Sequence, residues 1–275
     1  MHQPRKRFSQ NFLHDPGTIR RILDAIRPRP GERLVEIGPG QGAITRGLLE
    51  QAGALDAIEL DRDLVEPLRA RLGGLGDLRI HSADALRFDL CSLAAAPASL
   101  RLIGNLPYNI STPLLFRFLE QADCILDLHL MLQREVVERI AAGPGTKVYG
   151  RLSVMVQTWC ETECLFRIGP GAFTPAPKVE SAFLRLRPHR PLPHRPDDPA
   201  VYARVVAAAF AQRRKTLRNS LLGLADTAAF DAAGIDPGLR AERLDVAAFV
   251  RLANRIGRLP PGCADADPYN LTIAI

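Results

Sequence analysis

The stretch Ile103-Gly104-Asn105-Leu106-Pro107-Tyr108-Asn109-Ile110-Ser111-Thr112 sets an amide, a proline and an aromatic ring within four residues. An exocyclic amino nitrogen on a nucleic-acid base is a poor nucleophile, because its lone pair delocalises into the ring. Two acceptors, the Asn105 side-chain carbonyl and the Leu106 main-chain carbonyl, can take its two hydrogens. That grip aims the lone pair at an electrophile and favours a pyramidal nitrogen. Pro107 restricts Leu106 to an extended conformation, which holds its carbonyl in place. The Tyr108 ring can stack on the base and favour the positive charge that develops during attack. Taken alone, these residues also suit a plain strand-end turn, so the choice rests on what lies upstream.

Upstream stands Glu36-Ile37-Gly38-Pro39-Gly40-Gln41-Gly42, where Gly38 and Gly40 let the backbone turn sharply and approach a ligand. Many strand–helix turns share that spacing. Glu59, 21 residues beyond Gly38, can accept hydrogen bonds from both hydroxyls of a ribose. Asp84, in Ser82-Ala83-Asp84-Ala85, can accept from an adenine amino group. Each acid alone reads as a solvated turn residue; together, after successive strands, they outline a nucleoside site. A dinucleotide needs its pyrophosphate on a helix N-terminus, usually through GxGxxG. Here the spacing is GxGxG with Pro39 inside, and no dehydrogenase-type proton donor is evident. S-adenosylmethionine, which has no phosphate, fits better. Its sulfonium is a strong methyl donor, so neither a metal nor a strong general base is required.

These residues need strands to present them. Short apolar runs at Leu34–Ile37, Leu55–Leu60, Leu78–His81, Leu100–Gly104 and Ile125–Leu132 alternate with helical stretches at Gly42–Gln51, Asp63–Arg71, Thr112–Gln121 and Arg134–Ala142. That alternation predicts an α/β fold with a parallel sheet, whose ligands bind beyond the carboxyl ends of the strands. An amphipathic segment at Thr18–Ile26 precedes it. Cys164–Ile168 and Ser181–Leu186 read as an antiparallel pair closing the sheet edge. The run from Pro188 to Pro196 holds four prolines in nine residues and reads as a linker. Beyond it, Val206, Phe210, Leu217, Leu221, Leu224, Val246, Val250 and Ala253 recur at helical spacing. The expected organisation is a catalytic domain with a basic N-terminal arm over 1–187, a linker over 188–199, a small all-helical domain over 200–258, and an unassigned tail over 259–275.

Charge is segregated. Residues 1–33, which include Arg5, Lys6 and Arg7, carry eight basic and three acidic side chains. Residues 34–184 carry fourteen and eighteen, residues 185–220 nine and two, and the remainder five and seven. Two basic segments flanking an acidic middle suit a polyanionic partner. In the second, Arg213, Arg214, Lys215 and Arg218 read as an RNA-docking face, with Arg214, Lys215 and Arg218 on one side of the helix that holds Leu217. No apolar run approaches the ~20 residues of a membrane span. The start, MHQPRKRFSQNFL, lacks the apolar stretch of a secretory signal. The five cysteines show no CxxC spacing and read as free thiols in a reducing, cytoplasmic compartment.

The chain resembles the small-subunit ribosomal RNA adenine N6-dimethyltransferases, the KsgA/RsmA family, from Arg5 to about Ala253. The resemblance is carried by the segments starting at Arg5 (RKRFSQNFL), Val35 (VEIGPGQGA), Glu59 (ELD), Asn105 (NLPYNIST), Tyr149 (YGRLS), Phe173 (FTPAPKV) and Gln212 (QRRKT). Ser9 stands where the family pattern has Gly. The resemblance implies a Rossmann-like class I methyltransferase sheet, with a donor site built from Asn11, Leu13, Gly38, Gly40, Glu59, Asp84, Ala85 and Asn105. It implies a target site of Asn105, Leu106, Pro107 and Tyr108, with Phe173 flanking the adenine opposite Tyr108. The product implied is dimethylation of two adjacent adenosines in a hairpin loop near the 3′ end of the small-subunit RNA, on a pre-assembled particle, by a monomer. Two rivals are an assembly checkpoint factor that mainly binds, and a large-subunit relative conferring antibiotic resistance. Intact Asn105–Tyr108 and Glu59 argue against the first. The segment 212–220 and the Asn109-Ile110-Ser111-Thr112 ending argue against the second.

Overall fold

The computed structural model describes residues 11–257. Arg5, Lys6, Arg7 and the tail over 259–275 lie outside them. The chain forms two compact units, one of residues 11–137 with 163–188 and one of residues 138–162 with 189–257. No helix among the described residues is long and apolar enough to cross a membrane.

The first unit opens with β1 (Phe12–Leu13) and α1 (Pro16–Ile26). Asp15 caps α1 by accepting the Thr18 N–H at 2.7 Å, and Pro16 has no N–H to leave unsatisfied in the first turn. Then follow β2 (Arg33–Ile37), α2 (Thr45–Ala52), β3 (Ala54–Glu59), α3 (Arg62–Leu72), β4 (Asp77–Ser82), β5 (Leu100–Asn105), α4 (Ser111–Glu120) and β6 (Ile125–Gln133). After α5 (Arg134–Ile140) and α6 (Arg151–Trp159) come β7 (Cys160–Ile168), β8 (Phe173–Thr174) and β9 (Ser181–Pro188). Seven strands form one sheet in the order β4-β3-β2-β5-β6-β9-β7, and β1 pairs with β8 in a separate ribbon. The two late strands pair with each other and close one edge of the sheet, as expected, and β9 joins them to the parallel strands by running antiparallel against β6. Register is what positions the site. Ile37 lies opposite Ile58 and Gly104, and Glu59 opposite Ser82, so the carboxyl ends of four parallel strands finish at one level.

Apolar residues beneath that level, among them Ile22, Leu34, Leu48, Leu55, Ile103 and Phe183, form the core. Full burial of each such side chain contributes roughly 1.5–3 kcal/mol. At the opposite end of β5, Arg101 is 7% exposed and bonds Asp127 through Nε at 3.1 Å, Glu32 at 2.7 Å and the Ile26 carbonyl at 2.8 Å. That guanidinium ties the end of α1 to β5 and β6.

Two sequence expectations are corrected. Cys91 and Cys124 are not free thiols but a disulfide, with Cα atoms 5.4 Å apart. Their segments lie side by side, since the Ala98 N–H donates to the Asp123 carbonyl at 2.8 Å and the Ser99 N–H to that of Cys124 at 3.0 Å. The pair is 33 residues apart, beyond any local spacing rule. Cys160 stays a buried thiol, and Cys263 lies outside the described residues.

In the second unit, α7 (Pro199–Ala211), α8 (Leu217–Ser220), α9 (Thr227–Ala233) and α10 (Val246–Ile256) follow the proline-rich stretch. Asp198, Asp226 and Asp245 each cap the helix that follows. Phe210 packs between Tyr149 and Phe249, with ring centroids 6.1 and 5.6 Å away. The second correction falls here. Arg214, Lys215 and Arg218 do not share a helix, because α8 begins only at Leu217 and residues 213–215 form the turn after α7. The Leu217 N–H is taken by the Leu239 carbonyl at 2.8 Å and that of Arg218 by Pro237 at 3.0 Å. A tertiary contact claims donors that a longer helix would have used.

Candidate active site

A cavity of about 360 Å³ opens at the carboxyl ends of the parallel strands, entirely within the first unit. Its size suits a small-molecule ligand. Its wall holds Asn11, Leu13, Gly38, Gly40, Glu59, Asp84, Ala85, Asn105, Leu106, Pro107 and Tyr108. Phe173 is not in that wall. It is 3% exposed within the core, and its main chain pairs with Leu13.

The glycine loop follows β2. Gly40 has φ +57°, and a Cβ there would sit 3.2 Å from the Phe12 ring, so backbone hand and the close approach of β1 both demand glycine. The Gly40 N–H donates to Glu59 Oε2 at 3.1 Å, and the Asp61 N–H to Oε1 at 2.8 Å. Each carboxylate oxygen thus holds one backbone donor and keeps acceptor capacity for a vicinal diol. Glu59 is 5% exposed; burial pushes its pKa above the ordinary value, against the pull of those N–H groups. Asp84 closes a turn by accepting the Leu86 N–H on Oδ1 at 2.9 Å.

Glu36 is the cavity residue that sequence reasoning passed over, although it stands at the head of the glycine loop. It is 3% exposed, lines the cavity, and its Oε2 is buried without a hydrogen-bond partner among the described residues. Burial first, and then the nearby Glu59 carboxylate, push its pKa up to about 7. A buried carboxyl at the edge of the cavity, with Thr45 beside it, fits a site that takes a cationic group, and S-adenosylmethionine carries an ammonium as well as its sulfonium.

At the tip of β5 the Asn105 Nδ2 donates to the Asn11 carbonyl at 3.1 Å. That bond assigns the amide its orientation and leaves Oδ1 as the acceptor. The Leu106 N–H is taken by the Met131 carbonyl at 3.2 Å, which fixes the peptide preceding the Leu106 carbonyl. Ser111 Oγ donates to the Tyr108 carbonyl at 3.1 Å, and the Tyr108 hydroxyl meets Ser181 Oγ at 2.7 Å.

In the second unit Arg214, Lys215 and Arg218 are exposed. Arg213 is also exposed but held, with Nε bonded to Glu242 at 3.2 Å and Nη2 to the Lys147 carbonyl.

Comparison with known proteins agrees with this geometry. The family model "Ribosomal RNA adenine dimethylase" matches residues 1–258. A ribosomal RNA small subunit methyltransferase A from Pseudomonas fluorescens is 56% identical over 266 residues, 97% of this chain and 98% of that protein. Among solved structures, the 23S rRNA methyltransferase ErmE superposes with a TM-score of 0.70 at 29% identity, covering 90% of this chain and 99% of that one. A dimethyladenosine transferase from Plasmodium falciparum shares the fold, with a TM-score of 0.75 at 22% identity, covering 88% of this chain and 95% of that one. Sheet order, cavity and family match converge: this chain belongs to the ribosomal RNA adenine dimethylase family.

Proposed function

We propose that this chain transfers methyl groups from S-adenosylmethionine to the exocyclic N6 of two adjacent adenosines in a hairpin loop near the 3′ end of small-subunit ribosomal RNA. The bound donor supplies a methyl group on a sulfonium, an electrophile strong enough to need neither metal nor strong base. Glu59 holds the ribose hydroxyls on the lone pairs that Gly40 and Asp61 leave open. Asp84 receives the donor's adenine amino group on the oxygen not used by Leu86. The Glu36 carboxyl serves the ammonium end from the cavity wall. Asn11, Leu13, Gly38 and Ala85 complete the wall around the donor.

The single observation that carries the reading is the bond from Asn105 Nδ2 to Asn11 O, which presents Oδ1 as an acceptor beside the cavity. With the Leu106 carbonyl it accepts hydrogen bonds from the amine, so the nitrogen lone pair can attack the methyl carbon as the carbon–sulfur bond breaks; the thioether S-adenosylhomocysteine leaves and the proton on the methylated nitrogen passes to water. The Tyr108 ring stacks on the flipped base; such stacking is worth ~1–3 kcal/mol and offsets part of the cost of extruding the base. For Phe173 to cover the second face, its ring must rotate out of the core in which it sits.

The RNA is held by exposed cations, Arg214, Lys215 and Arg218 foremost, with Arg213 braced beside them. Arg5, Lys6 and Arg7 extend that role at the N-terminal arm. The substrate is a partly assembled small subunit and the enzyme a cytoplasmic monomer. Unmarked small subunits and large subunits, each incubated with labelled donor and then mapped, are expected to show label on two neighbouring adenines of one small-subunit loop. Label on large-subunit RNA only would overturn the assignment, and binding of small subunits without transfer would favour the checkpoint reading.

A further inference from the structure

Ser181 begins β9, is fully buried, and lies opposite Gln133 of β6 in the antiparallel register. It is not part of the cavity wall, yet its hydroxyl is 2.7 Å from that of Tyr108. Tyr108 is therefore gripped at both ends. Its carbonyl accepts from Ser111 at 3.1 Å, and its ring tip is tied to a strand far away in sequence. A tyrosine held only by its backbone swings about its first side-chain torsion and sweeps the ring through the space a stacked base would fill. Fixing the phenol oxygen as well stops that swing and sets the line along which the ring lies. The anchor is itself rigid: just before Ser181, the Glu180 carbonyl accepts the Arg134 N–H at 2.9 Å, and its carboxylate bonds the Arg134 guanidinium at 2.5 Å.

We infer that Ser181 is a positioning residue for methyl transfer, holding the Tyr108 ring in the place where the target adenine stacks. This rests on the proposed stacking role of Tyr108. Burial raises the phenol pKa, which keeps the hydroxyl a neutral hydrogen-bonding partner throughout the working pH range.

The test is a mutant cycle on unmarked small subunits with Tyr108→Phe, Ser181→Ala and the double variant, together with Tyr108→Ala. Each single hydroxyl deletion is expected to lower kcat about three- to tenfold while the KM for the donor stays within about twofold. The double variant is expected to match either single one, because both remove the same bond. An RNA with 2-aminopurine at the target position should also lose fluorescence quenching in Ser181→Ala. Donor binding reports that each variant is folded; if Ser181→Ala fails to bind donor, Ser181→Cys replaces it in the cycle. A wild-type kcat for Ser181→Ala, or effects that multiply in the double variant, overturns the role of Ser181. A wild-type kcat for Tyr108→Ala instead overturns the stacking reading itself.

Discussion

Asn105 Nδ2 hydrogen-bonds the main-chain oxygen of Asn11, 94 residues earlier in the chain, at 3.1 Å. The side chain proposed to meet the target amine is thus oriented by the residue just before β1, which also lines the cavity. Donor site and acceptor site are mechanically one object. Movement of β1 changes both.

Asn105→Ala removes the acceptor proposed for the amine and should cost kcat at least about a hundredfold, the usual scale for losing one oriented polar group. Donor affinity should fall much less. Glu59→Ala should do the reverse, weakening donor binding at least about tenfold, because it removes the diol acceptor and leaves the Gly40 and Asp61 N–H groups unpaired. Isothermal calorimetry with the donor and single-turnover methylation separate the two.

Glu36 has a pKa of about 7 in the folded chain against an ordinary value of 4.5. A carboxyl whose pKa rises on folding contributes stability that is present below its unfolded pKa and lost as pH rises through the folded one. The protein without donor should therefore lose stability between about pH 4.5 and 7 relative to Glu36→Gln, by up to about 3 kcal/mol. Denaturant melts of both proteins across that window check it, and parallel curves would refute the burial argument.

Arg101 stands four residues before Asn105 on β5, about 13 Å away along the strand. Arg101→Met leaves the Asp127 and Glu32 carboxylates without their guanidinium and should cost about 3–5 kcal/mol of stability. Donor affinity of the folded fraction should be unchanged. Urea melts beside donor titrations test both statements.

Arg214, Lys215 and Arg218 changed together to Ala should weaken binding to small subunits and flatten its salt dependence. The slope of log affinity against log salt should drop by about 0.7–0.9 for every phosphate that is no longer neutralised. Arg213 is left intact because its bonds to Glu242 and Lys147 brace the turn. An unchanged slope would remove this turn from the interface.

Much of the site was legible because it is local. Asn105 through Tyr108 are consecutive, Gly38 to Gly42 form one turn, and Glu59 and Asp84 each follow an apolar run that could only be a strand. Parallel pairing then brings those strand ends to one level, so order along the chain becomes proximity in space. Glu36 escaped notice because alternation marks which way a residue points, not whether its carboxyl finds a partner.

What the sequence by itself determined is the parallel sheet and which candidate residues gather at the carboxyl ends of its strands, since each depends on spacing within one element or one turn. Tertiary structure alone decided the Asn105 amide orientation, the Ser181 anchor on Tyr108, the burial of Phe173 opposite Leu13, the Cys91–Cys124 bridge and the late start of the basic helix. Each of these joins segments distant in the chain, and such partners are chosen by packing and register, which periodicity along the sequence does not encode.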